Sequence, residues 1–386
     1  MINEERPAIK TIRNVNQENV IRTIIEKRKT TRRILAEETR VSLMTVKNIV
    51  DNLLDIKIIV EENINDYGLL GRKPKILSLD PRIGLFVCLN LSFKDFFVYY
   101  IYSIHQELII ERKLSRDEIK SYSENLVKIS KSIKDDVNKT EMDILAIGIL
   151  VPGAYYEEED TVNFDLISGL KQLPIKRFFS IEFGFENIAV FHDVFAGAQA
   201  EYEATLPRND SLFYFFAGDG VGGAFVNGNG SWLRGENLLA GEIGQNIIWD
   251  GEKETIFEDT VSTYKLTEKI QSAHPGIDFW QAMDLYDKGD RIALEVINRA
   301  ATIAANCLHN VIWTLNPGRL IIASPYPRYA EIVLEACKKM NQRFAGLSIP
   351  MTVEMLMPRY KNQGEVTGCF ALSLKLWIDS IADSLN

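Results

Sequence analysis

The stretch Phe216-Ala-Gly-Asp-Gly-Val-Gly-Gly-Ala-Phe225 decides the fold of this 386-residue chain. It overlaps the end of five consecutive apolar residues, 212–216, which predict a buried strand. The glycines after this strand let backbone N–H groups approach an anion closely, as in loops that bind phosphate. Such loops usually carry a hydroxyl between their first two glycines, whereas Asp219 supplies a carboxylate here. Because two like charges about 4 Å apart repel by roughly 1 kcal/mol in water, and by more when partly buried, we predict a phosphate-loop frame without ATP chemistry.

Elsewhere in the chain, apolar and polar segments alternate in a way that predicts an α/β body. Apolar runs at 83–91, 95–103 and 108–112 predict sheet strands, and a helix at 117–137 leads to a strand at 144–150. The second half adds strands at 211–216, 221–227 and 319–323 and helices at 290–315 and 365–383. Strand sets followed by helices therefore occur twice.

Charge separates the first 80 residues from the remainder. Residues 1–80 carry 15 basic and 12 acidic side chains, whereas residues 81–386 carry 29 basic and 41 acidic ones. Eleven basic and four acidic residues fall within 6–47. A basic module on an acidic body indicates a polyanion partner for the N-terminal segment, although a solvated helical surface would give the same count.

Length and composition predict an intracellular protein of two or three domains. With 46% hydrophobic residues, the chain can bury at least one large core. We expect a cytoplasmic location, because no apolar run approaches the ~20 residues that cross a bilayer and the N-terminus lacks the apolar segment of a signal peptide. The four cysteines lie far apart, which favours buried thiols over disulfides or a metal cluster.

Three short helices are predicted before residue 60. Apolar residues at helical spacing mark helices at 16–27 and 31–39, and Ser42 is a suitable N-cap for a third helix at 43–55. The third helix carries an apolar stripe of Leu43, Val46, Val50, Leu53 and Leu54. Two helices followed by a third with a polar outer face predict a helix-turn-helix.

The outer face of the third helix supplies candidate DNA contacts. Met44, Thr45 and Asn48 lie opposite the apolar stripe, and Lys47 lies at its flank. Thr45 and Asn48 can reach base edges, whereas Lys47 suits a phosphate. Two further basic residues lie at the start of the preceding helix, where we expect them near the DNA backbone: Arg32 and Arg33.

A wing is predicted after the third helix, between strands at 56–61 and 75–79. It ends in the basic turn Gly71-Arg-Lys-Pro74, where Arg72 could enter a narrow minor groove with Lys73 beside it. The alternative is an ordinary loop with two solvated cations. Helices and wing together predict a winged helix-turn-helix that binds DNA, the alternative being a helical module that docks a protein.

Four motifs, in order along residues 82–386, resemble the ROK family of sugar kinases and sugar-responsive repressors. They are Ile147-Gly-Ile-Leu-Val-Pro-Gly153, Ile188-Ala-Val-Phe-His-Asp193, Ala240-Gly-Glu-Ile-Gly244 and Leu315-Asn-Pro317. The turn at 71–74 resembles the linker between wing and core in the family's repressors. The resemblance implies an actin-like, ribonuclease-H-like α/β fold in which a cleft separates two lobes.

The resemblance also implies a sugar site. Asp193 matches the family's catalytic aspartate, and it is equally placed to cap the helix that follows. The positions that match sugar-contacting residues of the family are Asp165, His192, Asp193, Glu242, Gln245 and Glu258. His192 stands where asparagine is usual, and Gln245 where histidine is usual. Glu242 and Glu258 could instead be solvated loop acids.

Both phosphate loops of the family are altered. The first loop should be similar to Asp-hydrophobic-Gly-Gly-Thr, whereas the matching residues are Asn90-Leu-Ser-Phe-Lys94, and Asp219 alters the second. The family's zinc site is also missing, because Gln245 replaces its histidine and residues 249–257 contain no cysteine. We therefore expect no ATP binding, no sugar phosphorylation, no zinc and no cofactor, with Asp193 a vestigial base.

These features predict a ROK-type transcriptional regulator of carbohydrate metabolism, a repressor rather than an enzyme. Residues 1–80 would form the winged helix-turn-helix, and residues 81–386 the two-lobed body that senses a sugar or sugar derivative. The expected partners are operator DNA, this effector and further copies of the chain, in a homodimer or a higher homo-oligomer. Two alternatives are a sugar kinase with unusual phosphate loops and a regulator controlled by a partner protein.

Overall fold

The computed structural model describes residues 12–63, 75–117, 121–163, 169–205, 210–344 and 353–385. Its helices are α1 Ile12–Lys27, α2 Arg32–Thr39, α3 Leu43–Asp55, α4 Tyr122–Asn138, α5 Ile175–Phe183, α6 Asp193–Glu203, α7 Glu258–Val261, α8 Thr263–Gln271, α9 Phe279–Asp287, α10 Arg291–Leu315, α11 Pro327–Phe344 and α12 Gly364–Ser384. Its strands are β1 Ile59–Asn63, β2 Lys75–Leu79, β3 Leu85–Asn90, β4 Phe96–Ser103, β5 Leu108–Ser115, β6 Ile144–Val151, β7 Tyr155–Tyr156, β8 Thr161–Val162, β9 Ile188–His192, β10 Leu212–Ala217, β11 Val221–Val226, β12 Ile247–Trp249, β13 Glu254–Ile256, β14 Arg319–Ala323 and β15 Glu354–Leu356. The predicted α/β class is confirmed.

The chain forms two compact units. The first contains the described residues of Met1–Ile149, Leu173–Val190 and Phe370–Asn386, and the second those of Leu150–Gln172 and Phe191–Cys369. The first unit includes the predicted helix-turn-helix, so the proposed domain boundary near residue 80 stays a prediction. No helix in the described ranges is long and apolar enough to cross a membrane.

Helix caps define the helix-turn-helix in the first unit. Thr31 caps α2 by accepting the Ile34 N–H at 3.3 Å, and Arg40 is its C-cap, with a left-handed φ of 57°. Ser42 caps α3 by accepting the Thr45 N–H at 3.1 Å. An arginine therefore adopts the backbone conformation that usually favours glycine in this turn.

The buried side of α3 differs from the predicted stripe. Its buried members are Val46, Ile49, Val50 and Leu53, so Ile49 belongs to it in place of the predicted Leu54, which is only partly buried. Leu43 is 57% exposed instead, because it lies on the first turn at the edge of the buried face.

The wing strands pair in antiparallel fashion, with Ile59 opposite Leu79. The first strand begins at Ile59 rather than at Ile56, because Ile56 still bonds back to α3 and Lys57 turns with a φ of 60°. Thr30 bridges to Leu77 of β2 through two backbone hydrogen bonds of 2.8 and 2.9 Å. The segment between the strands, which holds Arg72 and Lys73, lies outside the described residues.

The sheet of the first unit has the strand order β5-β4-β3-β6-β9. Its first three strands form an antiparallel meander. A buried carboxylate on α4 joins the helix to this sheet: Asp136 accepts hydrogen bonds of 2.6 and 2.9 Å from Arg112 and one of 2.7 Å from the Tyr99 hydroxyl. The Arg112 hydrogen bonds hold the pKa of Asp136 well below its usual range.

The sheet of the second unit has the order β11-β10-β14-β15, with β10 antiparallel to β11 and parallel to β14. The long helix α10 packs in the core of this unit through alanines, which allow close approach: Ala300, Ala301, Ala304 and Ala305. Cys307 and the other three cysteines are buried, as the sequence predicts.

Candidate functional site

The exposed side of α3 brings together three of the predicted DNA contacts. Met44 is 66% exposed, and Lys47 and Asn48 are exposed beside it. Thr45 is only partly exposed, and its hydroxyl lies 2.8 Å from Ser42 Oγ. Three side chains are therefore free to meet a DNA groove, whereas the Thr45 hydroxyl takes part in the helix cap.

Arg32, which the sequence places near the DNA backbone, is held by two carboxylates. Its guanidinium donates to Asp51 Oδ1 of α3 at 2.9 Å and to Glu61 of β1, and Lys75 of β2 also donates to Glu61. Burial alone would raise the pKa of Glu61, but the Lys75 and Arg32 hydrogen bonds outweigh it and lower that pKa. This network ties the wing to both helices of the helix-turn-helix. Arg33, by contrast, exposes 81% of its side chain.

A second group of predicted residues meets where β9 ends and α6 begins. Asp193 is the first residue of α6, and its Oδ1 accepts the Val194 N–H at 2.7 Å. His192 Nε2 lies 3.4 Å from the same oxygen. His192 Nδ1 is buried without a hydrogen-bond partner among the described residues. Because a buried polar atom without a partner costs free energy, this nitrogen is suited to a ligand hydroxyl.

Two glycines fix the loop that carries Glu242. Gly241 has a φ of +104°, and a Cβ there would lie 2.1 Å from the carbonyl oxygen of Gly223 in β11. A Cβ on Gly244 would lie 2.3 Å from the carbonyl oxygen of Val221. Only glycine permits the loop to approach the strand this closely, so these residues position Glu242 against β11.

Glu258 is the first residue of α7 and adjoins this loop at Gly244. Its Oε2 accepts the Val221 N–H at 2.7 Å. Burial raises the pKa of Glu258, against the effect of the Val221 hydrogen bond, and the charge of Glu242 raises it further. Glu258 is therefore bound to the strand backbone and is not the solvated loop acid of the alternative hypothesis.

Electrostatic interactions join these residues into one group, which we name the acid cluster: His192, Asp193, Glu242 and Glu258. Burial raises the pKa of Glu242, His192 lowers it, and Asp193 raises it. Partly desolvated carboxylates are strong acceptors for hydroxyl donors. The cluster can therefore accept several hydrogen bonds from one polyhydroxylated ligand.

Two predicted sugar contacts are not part of this geometry. Asp165 lies outside the described residues. Gln245 ends the turn Ile243–Gln245 and is exposed, and no hydrogen bond within the described part of the chain joins its side chain to the acid cluster. Both assignments stay predictions.

Glu365, at the start of α12, adjoins the acid cluster and is absent from the sequence prediction. Burial of its carboxyl group raises its pKa to about 7, and the charge of Asp193 contributes. The Tyr214 hydroxyl, buried without a hydrogen-bond partner among the described residues, also interacts with the charges of Glu365 and Asp193. No motif marks Glu365, because about 170 residues separate it from Asp193 in sequence.

Replacing Glu365 with glutamine is expected to stabilise the protein at pH 8 by on the order of 2 kcal/mol and by much less at pH 5. The folded state favours the protonated carboxyl of Glu365. The stability that this protonated group contributes is complete below the unfolded pKa near 4.5 and is lost as pH rises through about 7. Urea unfolding at both pH values measures the difference. Glu295→Gln, at an exposed position of α10, is the control, and an equal effect of both variants at pH 8 would refute the assignment.

Asp219 occupies the second phosphate loop as an exposed side chain. Its Oδ1 accepts a 2.9 Å hydrogen bond from the Thr263 hydroxyl at the start of α8, and Gly218 O accepts the Thr263 N–H at 2.7 Å. The carboxylate thus occupies the N-terminus of a helix, where a phosphate would be favoured.

The first phosphate loop is closed by its own side chains. Asn90 Oδ1 accepts the Ser92 N–H at 2.8 Å, which forms a tight turn. Phe93 stacks on Phe96, with ring centroids 4.4 Å apart. Ser92 and Phe93 therefore stand where the family pattern has glycines, and Phe93 is held by its stacking on Phe96.

A β-hairpin takes the place of the family's zinc loop. Strands β12 and β13 pair, and Asp250 Oδ1 accepts the N–H groups of Glu252 and Lys253 at 2.9 and 3.0 Å in the turn. Arg299 of α10 donates to Asp250 O at 2.8 Å. No group of three or more His, Cys, Asp or Glu suited to a metal ion occurs within the described ranges.

Comparison with known proteins identifies relatives over nearly the whole chain. The ROK family model matches residues 104–375. The xylose repressor of Staphylococcus xylosus is 24% identical over 350 residues, which cover 86% of this chain and 88% of that protein. The xylose repressor of Bacillus subtilis strain 168 is 23% identical over 388 residues, 96% of this chain and 97% of that protein.

Solved structures share the fold. A ROK family transcriptional regulator, described as a homolog of the E. coli MLC protein, matches with a TM-score of 0.79 at 19% identity, covering 97% of this chain and 98% of its own. A ROK family glucokinase from Streptomyces griseus, in complex with glucose and AMPPNP, matches with a TM-score of 0.62 at 19% identity, covering 75% and 99%. The regulator thus also matches the N-terminal helices and wing.

Proposed function

Because this chain belongs to the ROK family, we propose that it is a DNA-binding transcriptional repressor of carbohydrate metabolism whose body binds a sugar or sugar derivative. One observation carries the proposal: a capped helix-turn-helix with an exposed α3 face precedes the family region in the same chain. Relatives named xylose repressors are similar along both parts. A homodimer on a two-fold operator is part of the proposal.

The acid cluster supports a polyhydroxylated ligand. Asp193, Glu242 and Glu258 supply hydrogen-bond acceptors, and the unpartnered His192 Nδ1 adds a further polar atom. Asp165 and Gln245 complete the proposed contacts. The ligand can change DNA affinity only through different affinities for two conformations of the chain.

The altered phosphate loops support a regulator without kinase activity. Asp219 places a negative charge at the N-terminus of α8, and Ser92 and Phe93 replace the flexible glycines of the first loop. Asp193 has the position of a general base, but these loops lack the groups that hold a phosphoryl donor. We therefore propose that Asp193 binds a sugar hydroxyl without catalysis.

A thermal-shift screen with sugars and sugar phosphates tests the ligand proposal. At 100 times its dissociation constant, a ligand should stabilise the folded chain by about 2.7 kcal/mol, and Glu242→Gln should abolish the shift while Glu295→Gln retains it. ATP should produce no shift and no sugar-dependent ADP release. A flat screen would favour a partner protein as effector, and ADP release lost in Asp193→Asn would establish the kinase alternative.

A further inference from the structure

The first turn of α3 presents two adjacent apolar side chains to solvent. Leu43 is 57% exposed and Met44 is 66% exposed, whereas the apolar residues of the next turns are buried. In helix-turn-helix proteins, the N-terminal residues of this helix contact base edges in the major groove. The exposed pair therefore lies where base recognition occurs.

The polar groups of the same turn are used within the protein. Ser42 Oγ accepts the Thr45 N–H at 3.1 Å and lies 2.8 Å from Thr45 Oγ1. Neither hydroxyl is then fully available to a base. The surface that remains at this turn is made of methyl and methylene groups.

Cations stand on either side of this apolar surface. Arg40 precedes the helix and Lys47 follows one turn later; both are exposed, and neither forms a salt bridge with another of the described residues. Unpaired cations complement phosphates. An apolar contact flanked by cations fits DNA, because the one apolar group that bases present in the major groove is the thymine C5-methyl.

On the basis of the proposed function, we propose that Leu43 and Met44 recognise thymine methyl groups in each half-site of the operator. Asn48, one turn beyond Met44, lies on the same exposed face and supplies polar base contact. The operator half-site then contains thymine at the positions opposite the first turn of α3.

The test removes the methyl group from the DNA. The full-length chain is used to enrich a duplex from a random-sequence pool, and each thymine of that duplex is then replaced singly by deoxyuridine, which keeps base pairing and the O4 acceptor. At one or two thymines per half-site, the replacement should lower affinity roughly fourfold, the effect of one buried carbon group. Replacement of the other thymines by deoxyuridine should leave the affinity unchanged.

Protein variants assign the contact. The Leu43→Ala and Met44→Ala variants should each bind with equal affinity to thymine and deoxyuridine at the base position that the replaced side chain contacts. The Val15→Ala variant, changed at an exposed apolar position of α1, should retain the difference. A duplex that tolerates deoxyuridine at every thymine would overturn the inference while leaving DNA binding intact, as would variants that keep full sensitivity. Failure to enrich any duplex would instead refute the proposed function, and the inference with it.

Discussion

Replacing Gly241 with alanine is expected to destabilise the second unit by about 4 kcal/mol or more and to abolish ligand binding at the acid cluster. The added Cβ would lie 2.1 Å from the carbonyl oxygen of Gly223, which a strand backbone cannot move aside, and the φ of +104° adds strain. The Gly241 carbonyl also accepts the Gly223 N–H at 2.8 Å. Relief of the clash would therefore break this contact and displace Glu242.

The Gly276→Ala variant is the control, because it measures the cost of backbone strain without a steric clash. Gly276 has a φ of +81°, but nothing lies within 4 Å of the position that an alanine Cβ would take, so the cost should be about 1 to 2 kcal/mol. Urea unfolding followed by tryptophan fluorescence reports mainly on the second unit, because four of the five tryptophans lie there. Equal destabilisation by the two substitutions would contradict the close approach of loop and strand.

The sequence predicted those parts of the fold that local signals determine. Ser42 as an N-cap and the long helix that ends at Leu315 are confirmed within one residue. Periodicity could not place Leu43, because a residue at the edge of a helical stripe is buried only if a neighbouring element covers it. Periodicity also could not show that residues 56–58, directly after α3, lie outside the first wing strand.

The candidate site was only partly predictable for a related reason. His192 and Asp193 follow a strand directly, and Glu242 lies in a glycine-rich loop, so local sequence and family resemblance both mark them. Glu365 adjoins Asp193 only through tertiary structure, and the pairing of Arg32 with Glu61 requires the wing to fold back onto α2. Neither contact leaves a pattern in a single sequence.

Replacing Lys47 and Asn48 together with alanine should weaken operator binding by roughly several hundredfold. Asn48→Ala alone should cost about 1 to 3 kcal/mol and relax the preference at one base position, because an asparagine can pair with one base edge. Lys47→Ala alone should weaken all sequences nearly equally and reduce the salt slope by about 1. Both side chains are exposed on α3, so folding should not change.

A footprint on the DNA upstream of the chain's own operon, made with the full-length protein in the absence and presence of the sugar panel, tests the central claim most directly. We predict protection of two half-sites about one helical turn or a multiple apart, a change in protection with at least one sugar, and no protection by the Lys47→Ala, Asn48→Ala double variant. Absence of protection under every condition, or full protection by the double variant, would contradict the account.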